Sequence, residues 1–252
     1  MVGNIKRVLF FVFLVGVWEL VAARHVWDPT LFPSPGHVAR TLWEEFRSGV
    51  LVNATAISLR RVLLGYSISL VIGVPLGIVL ARQKTLEQTV GSLVSGFQSL
   101  PSICWLPLAL LWFGMNDKAI LFVVVAGSLV SITVAVQDGV KNLSPTYVRA
   151  AQTMGTPGWR IYTDVLLPAS LPSILTGAKL GWGYAWRSLM SGELLFVSLG
   201  LGQMLMQGRD LADMSQVISV MIVIMALGLL TDRVIFGSLE RHVRRRWGLS
   251  GA

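Results

Sequence analysis

The sequence predicts an all-α, polytopic membrane protein, and three observations carry that prediction. The mean hydropathy is +0.67, and only 13% of the 252 residues are charged, against about a quarter in soluble domains. Nine Trp and 25 Gly fit membrane helices, where Trp anchors at the interfaces and Gly lets helices approach closely. Finally, six windows approach the ~20 apolar residues that cross a bilayer: about Val8–Ala23, Val62–Ala81, Thr89–Phe113, Ala119–Gln137, Leu171–Val197 and Met214–Thr231.

The first window follows Lys6 and Arg7 and ends in VAA, which is also the grammar of a signal peptide. Next comes LFPSPGHVARTLWEEF, where two prolines and a Gly lead into Val38, Leu42 and Phe46 at helical spacing. It reads as a short amphipathic helix on the outer surface. The second window is uninterrupted. The third holds Pro101 and Pro107, which should kink or break it. A break would expose backbone carbonyls and Ser99 or Ser102 to a cavity, whereas a packed kink would not.

The fifth window is unusual in carrying Lys179, Arg187 and Glu193. Charges within a span cost at least ~2–3 kcal/mol each at the bilayer centre, so they must face protein, water or one another. Arg187 and Glu193 are six residues apart, about 240° around the helix, so each needs its own partner. Arg187 is either an anion-attracting group on a solute path or half of an interhelical ion pair. Glu193 reads as a gating group or a fixed contact with a neighbouring helix. Lys179 is placed to snorkel toward the interface. Gly177, Gly181 and Gly183 read as sites of close helix approach, and Cys104 as a small packed hydrophobe.

The net charge is +8, and its distribution orients the chain. With the N-terminus inside, the inner segments hold twelve Lys and Arg and the outer ones seven, favouring cytoplasmic N- and C-termini. The tail ERHVRRRWG then meets the inner leaflet. By this parity the stretch YVRAAQTMGTPGWRIYTDVLLP, residues 147–168, is cytoplasmic. Ser144 can cap a helix over Pro145–Met154, Gly155 can end it in a left-handed cap, and Thr156-Pro157-Gly158 turns the chain. A second short helix runs from about Trp159 to Leu167-Pro168, and Pro172 opens the next span. Two short helices joined by a tight turn make a rigid knob suited to a groove on another protein.

This stretch resembles the cytoplasmic signature of the inner-membrane permease subunits of ABC importers: Glu-Ala-Ala, three residues, Gly, nine residues, Ile, any residue, Leu-Pro. Here it reads Arg149-Ala150-Ala151, Gly155, Val165, Leu167-Pro168, with every spacing kept. Arg replaces the Glu and reverses its sign, which puts in question any salt bridge that the family's Glu makes. LFPSPGHV, LRRVLLGYSISLVIGVPLGIVLA, LPLALLWFGMNDKA, AWRSLMSGELL and GLGQML are similar to the branch that carries nitrate, sulfonate, taurine and bicarbonate. The likeness runs from about residue 8 to 247.

The resemblance implies the type I (MetI-like) importer fold. Residues 1–54 would form the N-terminal span and outer segment, 55–240 the permease core with its coupling segment at 138–170, and 241–252 a basic tail. Arg149, Ala150, Ala151, Gly155, Val165, Leu167 and Pro168 would couple to the ATPase. Arg187, Glu193, Ser99 and Ser102 would line the path. The implied partners are a second copy of the chain, two ABC ATPase subunits inside, an external solute-binding protein and the lipid bilayer, with no nucleic acid. The implied location is a bacterial-type inner membrane. The implied cargo is a small anion such as nitrate, sulfonate, taurine or bicarbonate. Rival readings are a permease for another small organic solute, an ion-coupled secondary transporter, and a membrane scaffold or channel subunit. The secondary transporter predicts inverted repeats, which the two halves lack, and leaves the knob unexplained.

No enzyme is expected. The chain has no GxxxxGK[ST] loop, so ATP and Mg belong to the partner ATPase and this chain needs no cofactor. Gly200-Leu201-Gly202 lacks the third glycine of a dinucleotide loop. The three His, at 25, 37 and 242, have neither metal-ligand spacing nor triad partners, so no metal site is expected.

Overall fold

The computed structural model describes residues 2–24, 27–195 and 198–246. His25 and the end of the tail after Arg246 lie outside them. Every element among the described residues is helical. In chain order they are α1 (Val2–Ala23), α2 (Pro35–Arg47) and α3 (Val50–Arg82). A bent pair follows, α4 (Lys84–Gln98) and α5 (Ser102–Phe113), then α6 (Asp117–Lys141) and α7 (Pro145–Thr153). The chain ends with α8 (Leu167–Leu195), α9 (Leu201–Asp210), α10 (Met214–Leu230) and α11 (Gly237–Arg246). Wide π-type turns at Ile161–Leu166 and Thr231–Phe236 lead into α8 and α11.

The six predicted windows fall on α1, α3, the α4–α5 pair, α6, α8 and α10. Three stretches are long and apolar enough to cross a membrane: Val50–Arg82, Asp117–Lys141 and Met214–Val243, and the bent pair makes a fourth if taken as one span. Helices α1 and α8 have the length, 22 and 29 residues, or roughly 33 and 44 Å at 1.5 Å per residue. Each carries three charged residues.

The third span is indeed broken, and its two prolines do different things. The chain bends by 107° between the halves. Pro101 holds an extended conformation (φ −56°, ψ 139°) at the break, whereas Pro107 sits in the first turn of the next helical run, where a missing N–H costs nothing. Cys104, in the same stretch, is exposed rather than packed, because this turn of the break is not covered by the rest of the chain. Pro172 does not open a span but lies inside α8. The helix continues from Leu167, and Ser170 Oγ donates to the Leu166 carbonyl at 2.6 Å.

By contacts the chain forms two compact units, residues 1–58 with 193–227, and 59–192 with 228–252. In the first, Trp18 Nε1 donates to Pro33 O at 3.0 Å, and Ser34 caps α2 through His37 N. Val38 is buried, and its carbonyl accepts from Ser219 Oγ at 3.1 Å. Asp213 caps α10 by accepting from the Ser215 and Gln216 N–H groups at 3.0 and 3.1 Å.

The second unit is organised on α6, whose Val123, Val124, Ile132 and Val136 are fully buried. Small residues let its neighbours in. A Cβ at Gly77 of α3 would lie 2.6 Å from Thr133 O, and one at Gly177 of α8 would lie 2.6 Å from Ala135 Cβ. Gly181 packs on Ile132 in the same way, while Gly183 faces open space. Of the three glycines expected to mediate close approach, two do so. Tyr66 OH donates to Ala178 O at 2.8 Å, and Ser128 Oγ to Ser69 Oγ at 2.7 Å. Arg61 and Asp117 make an ion pair of 2.6 Å at one end of α6.

Candidate functional site: a coupling knob and a polar cavity

The first part of the segment 145–168 folds as its sequence describes, a capped helix ending in a tight turn, but the second short helix is not a separate one: helical turns run unbroken from Gly158 through Ile161–Leu166 into α8. Ser144 Oγ accepts from Thr146 N at 3.4 Å, and the helix stops at Gly155, whose φ is +76°. Gly155 N donates to Gln152 O and Thr156 N to Ala151 O, both at 3.0 Å. This pair of reversed bonds satisfies carbonyls that a helix end leaves open, and it requires the left-handed residue that glycine supplies. α7 packs back on the wide turn Ile161–Leu166, burying Ala151, Ile161 and Leu166.

The opposite surface is apolar and uncovered. Tyr147 is 57% exposed, Met154 85% and Trp159 65%, and the Arg160 guanidinium lies 5.3 Å from the Trp159 ring centroid. Arg149 and Ala150 are exposed as well, Val165 is half-buried, and Leu167 is partly exposed. The two alanines therefore divide the labour, with Ala151 closing the knob and Ala150 lying on its surface. Large apolar side chains held rigidly in the open mark a surface for a protein partner.

In the same unit, the break between α4 and α5 opens a cavity of about 300 Å³. Ser99, Ser102 and Arg187, predicted separately from two different spans, all line it, together with Ser131 of α6 and Tyr184 of α8. Arg187 is exposed to this space. Its guanidinium lies 5.3 Å from the Tyr184 ring centroid, and it has no carboxylate partner among the described residues. The ring supports the cation from one side without neutralising it. Ser131 and Tyr184 were missed from sequence. A serine on an apolar helix gives no signal until a second helix shows which way it faces.

Glu193 has a different setting, in the first unit. It is fully buried. Ser58 Oγ lies 2.9 and 2.8 Å from its two carboxylate oxygens, and Gly202 N donates to Oε2 at 3.0 Å. Ser58 Oγ in turn accepts from Leu201 N at 2.9 Å. The carboxylate thus anchors the first turn of α9, where N–H groups lack helical partners and the dipole favours negative charge. Gly200 and Gly202 leave room for it, since a Cβ at either would come within 2.6 Å of Glu193 atoms. Lys179 does not simply snorkel, because Asp232 offers it a carboxylate at 2.7 Å.

No group of three or more His, Cys, Asp and Glu among the described residues could hold a metal ion. The family model described as binding-protein-dependent transport system inner membrane component matches residues 73–247. An ABC transporter permease protein of Methanocaldococcus jannaschii is 34% identical over 224 residues, covering 87% of this chain and 84% of that protein. The taurine transport system permease protein TauC of Escherichia coli K12 is 27% identical, covering 87% and 82%. Among solved structures, a chain of the MetNI methionine ABC transporter in inward-facing conformations matches with a TM-score of 0.71 and 23% identity. That match covers 79% of this chain and 98% of the other.

Proposed function

The chain belongs to the binding-protein-dependent transport system inner membrane components and is a permease subunit of an ABC importer, not an enzyme; we propose that its cargo is a small oxoanion, held in passing by Arg187. The carrying observation is the cavity at the broken span. One cation, Arg187, shares this cavity with Ser99, Ser102 and Ser131 and has no carboxylate partner among the described residues. A sulfonate, nitrate or bicarbonate presents a single charge spread over oxygens, which suits one guanidinium with the Ser102 and Ser131 hydroxyls in the same cavity, while Ser99 Oγ donates to the Gly96 carbonyl at 2.7 Å. The similarity to a taurine permease agrees with this chemistry.

ATPase and solute-binding partners follow from the family. Beyond that, the knob at 145–168 inserts into an ATPase subunit, two copies of the chain enclose the path, and both termini face the cytoplasm. ATP and Mg act on the ATPase, whose closure pulls on the knob and tilts the span that begins at Leu167. Two faces of one bistable element are thereby coupled.

Uptake by the assembled transporter tests the cargo. Arg187→Ala removes the charge-assisted hydrogen bonds, worth ~1.5–3 kcal/mol, and should weaken transport of labelled taurine, alkanesulfonate or nitrate at least tenfold while leaving the ATPase bound. Unchanged uptake and coupled ATPase activity would remove Arg187 from the path. Competition only by an uncharged organic solute would select the other reading of the cargo.

A further inference from the structure

The cavity at the broken span has an aromatic wall as well as a charge. Phe97, near the end of α4, and Trp105, in the first turn of α5, both line it. Their rings stand edge to face with centroids 5.4 Å apart, a favoured arrangement for an aromatic pair. Trp105 also stands edge to face with Phe122 of α6 at 6.3 Å. Phe122 does not line the cavity, so it braces the wall from outside. Leu100 and Val130 extend the apolar lining. The Ser102 and Ser131 hydroxyls have no hydrogen-bond partner among the described residues and are available, with Arg187, to a bound anion.

We propose that the cargo is an organic oxoanion, whose charged end meets Arg187 and whose apolar body packs on Phe97 and Trp105. This rests on the reading of Arg187 as the cargo's cationic contact and narrows it. An anion as small as nitrate or bicarbonate uses only the guanidinium and the hydroxyls. It leaves most of the 300 Å³ to water lying against aromatic rings, and apolar surface left wet adds nothing to binding. An organic tail displaces that water and gains by its own buried area. The volume stands at the lower end of the ~300–1,000 Å³ of clefts that hold small organic ligands, and the lining follows their pattern of apolar walls with few polar groups. Phe97 and Trp105 are then specificity-determining residues, which add no charge and select an anion by what it carries behind its oxygens.

Ligand-observed NMR titration of the assembled transporter in detergent tests it, with methane-, ethane-, propane- and butanesulfonate and nitrate as probes and protein-free micelles as the baseline. Affinity should rise about fourfold with each methylene, or roughly sixtyfold from methane- to butanesulfonate, with nitrate no tighter than methanesulfonate. Trp105→Ala should shrink that span to about tenfold or less, and Trp105→Phe, which keeps a ring, should restore most of it. Arg187→Ala should weaken all five anions at least tenfold and leave the span between the sulfonates. A wild-type series that is flat, a span that Trp105→Ala leaves intact, or nitrate binding tighter than butanesulfonate would overturn this inference while the role of Arg187 stood. If Arg187→Ala bound every anion as the wild type does, or the wild type bound none, the cargo reading would fall and this inference with it.

Discussion

At the scale of single residues, Glu193 and Glu45 are held in opposite ways. Glu193 is fully buried yet well supplied, with Ser58 and Gly202 N–H on its oxygens. Glu193→Ala leaves the Ser58 hydroxyl proton and the Gly202 N–H without their acceptor, at about 1–3 kcal/mol for each group stranded. Thermal unfolding of the purified protein should fall accordingly, while Ser58→Thr, which keeps the hydroxyl, should fall less. Glu45 lies outside the spans, on α2. Its Oε2 is buried with no hydrogen-bond partner among the described residues. Desolvation first, and the negative charge of Asp213 second, push its carboxyl up to about 7 from 4.5. The folded form therefore holds this proton more tightly than the unfolded chain, and stability declines as pH rises from about 4.5 to 7, then levels. Melting curves between pH 5 and 8 should show that decline, and Glu45→Gln should flatten it and raise stability at pH 8. A variant with the wild-type slope would contradict the assignment.

At the scale of elements, the decisive feature is the end of α7. A β-branched residue at Gly155, where φ is +76°, must adopt a left-handed conformation that costs roughly 1–2 kcal/mol, and the two reversed bonds that seat Thr156 would be strained with it. Gly155→Val should therefore loosen the knob and lower the amount of ATPase that co-purifies several-fold, with insertion into the membrane intact. Retention of the ATPase at wild-type level would show that the knob is not the handle. The broken third span is the other element-scale device. Two prolines predicted a break, but their assignments could not be separated by sequence, because a proline at a helix's first turn and one at a break look alike until the backbone direction is known. The serines that the break exposes were legible. Ser131, Tyr184 and the aromatic wall were not, since each depends on which faces of three helices point together.

At the scale of the whole molecule, orientation is the prediction that everything functional shares. In a Cys104→Ser background, Arg160→Cys should react with a membrane-impermeant maleimide only after the inner face is opened. Labelling from intact cells would place the knob outside and undo the coupling mechanism.

Composition and hydropathy by themselves determined that this is a helical membrane protein, because the cost of charge in hydrocarbon leaves its mark on every window of the chain. The spacing of Gly155, Val165 and Leu167-Pro168 determined the knob, because a helix cap and a tight turn are local and need only their own residues. Only tertiary structure decided that Arg187 shares a cavity with Ser99, Ser102, Phe97 and Trp105 while Glu193 anchors α9. Those outcomes rest on contacts between residues far apart in the chain, and no local rule of spacing encodes which helical faces will turn toward each other.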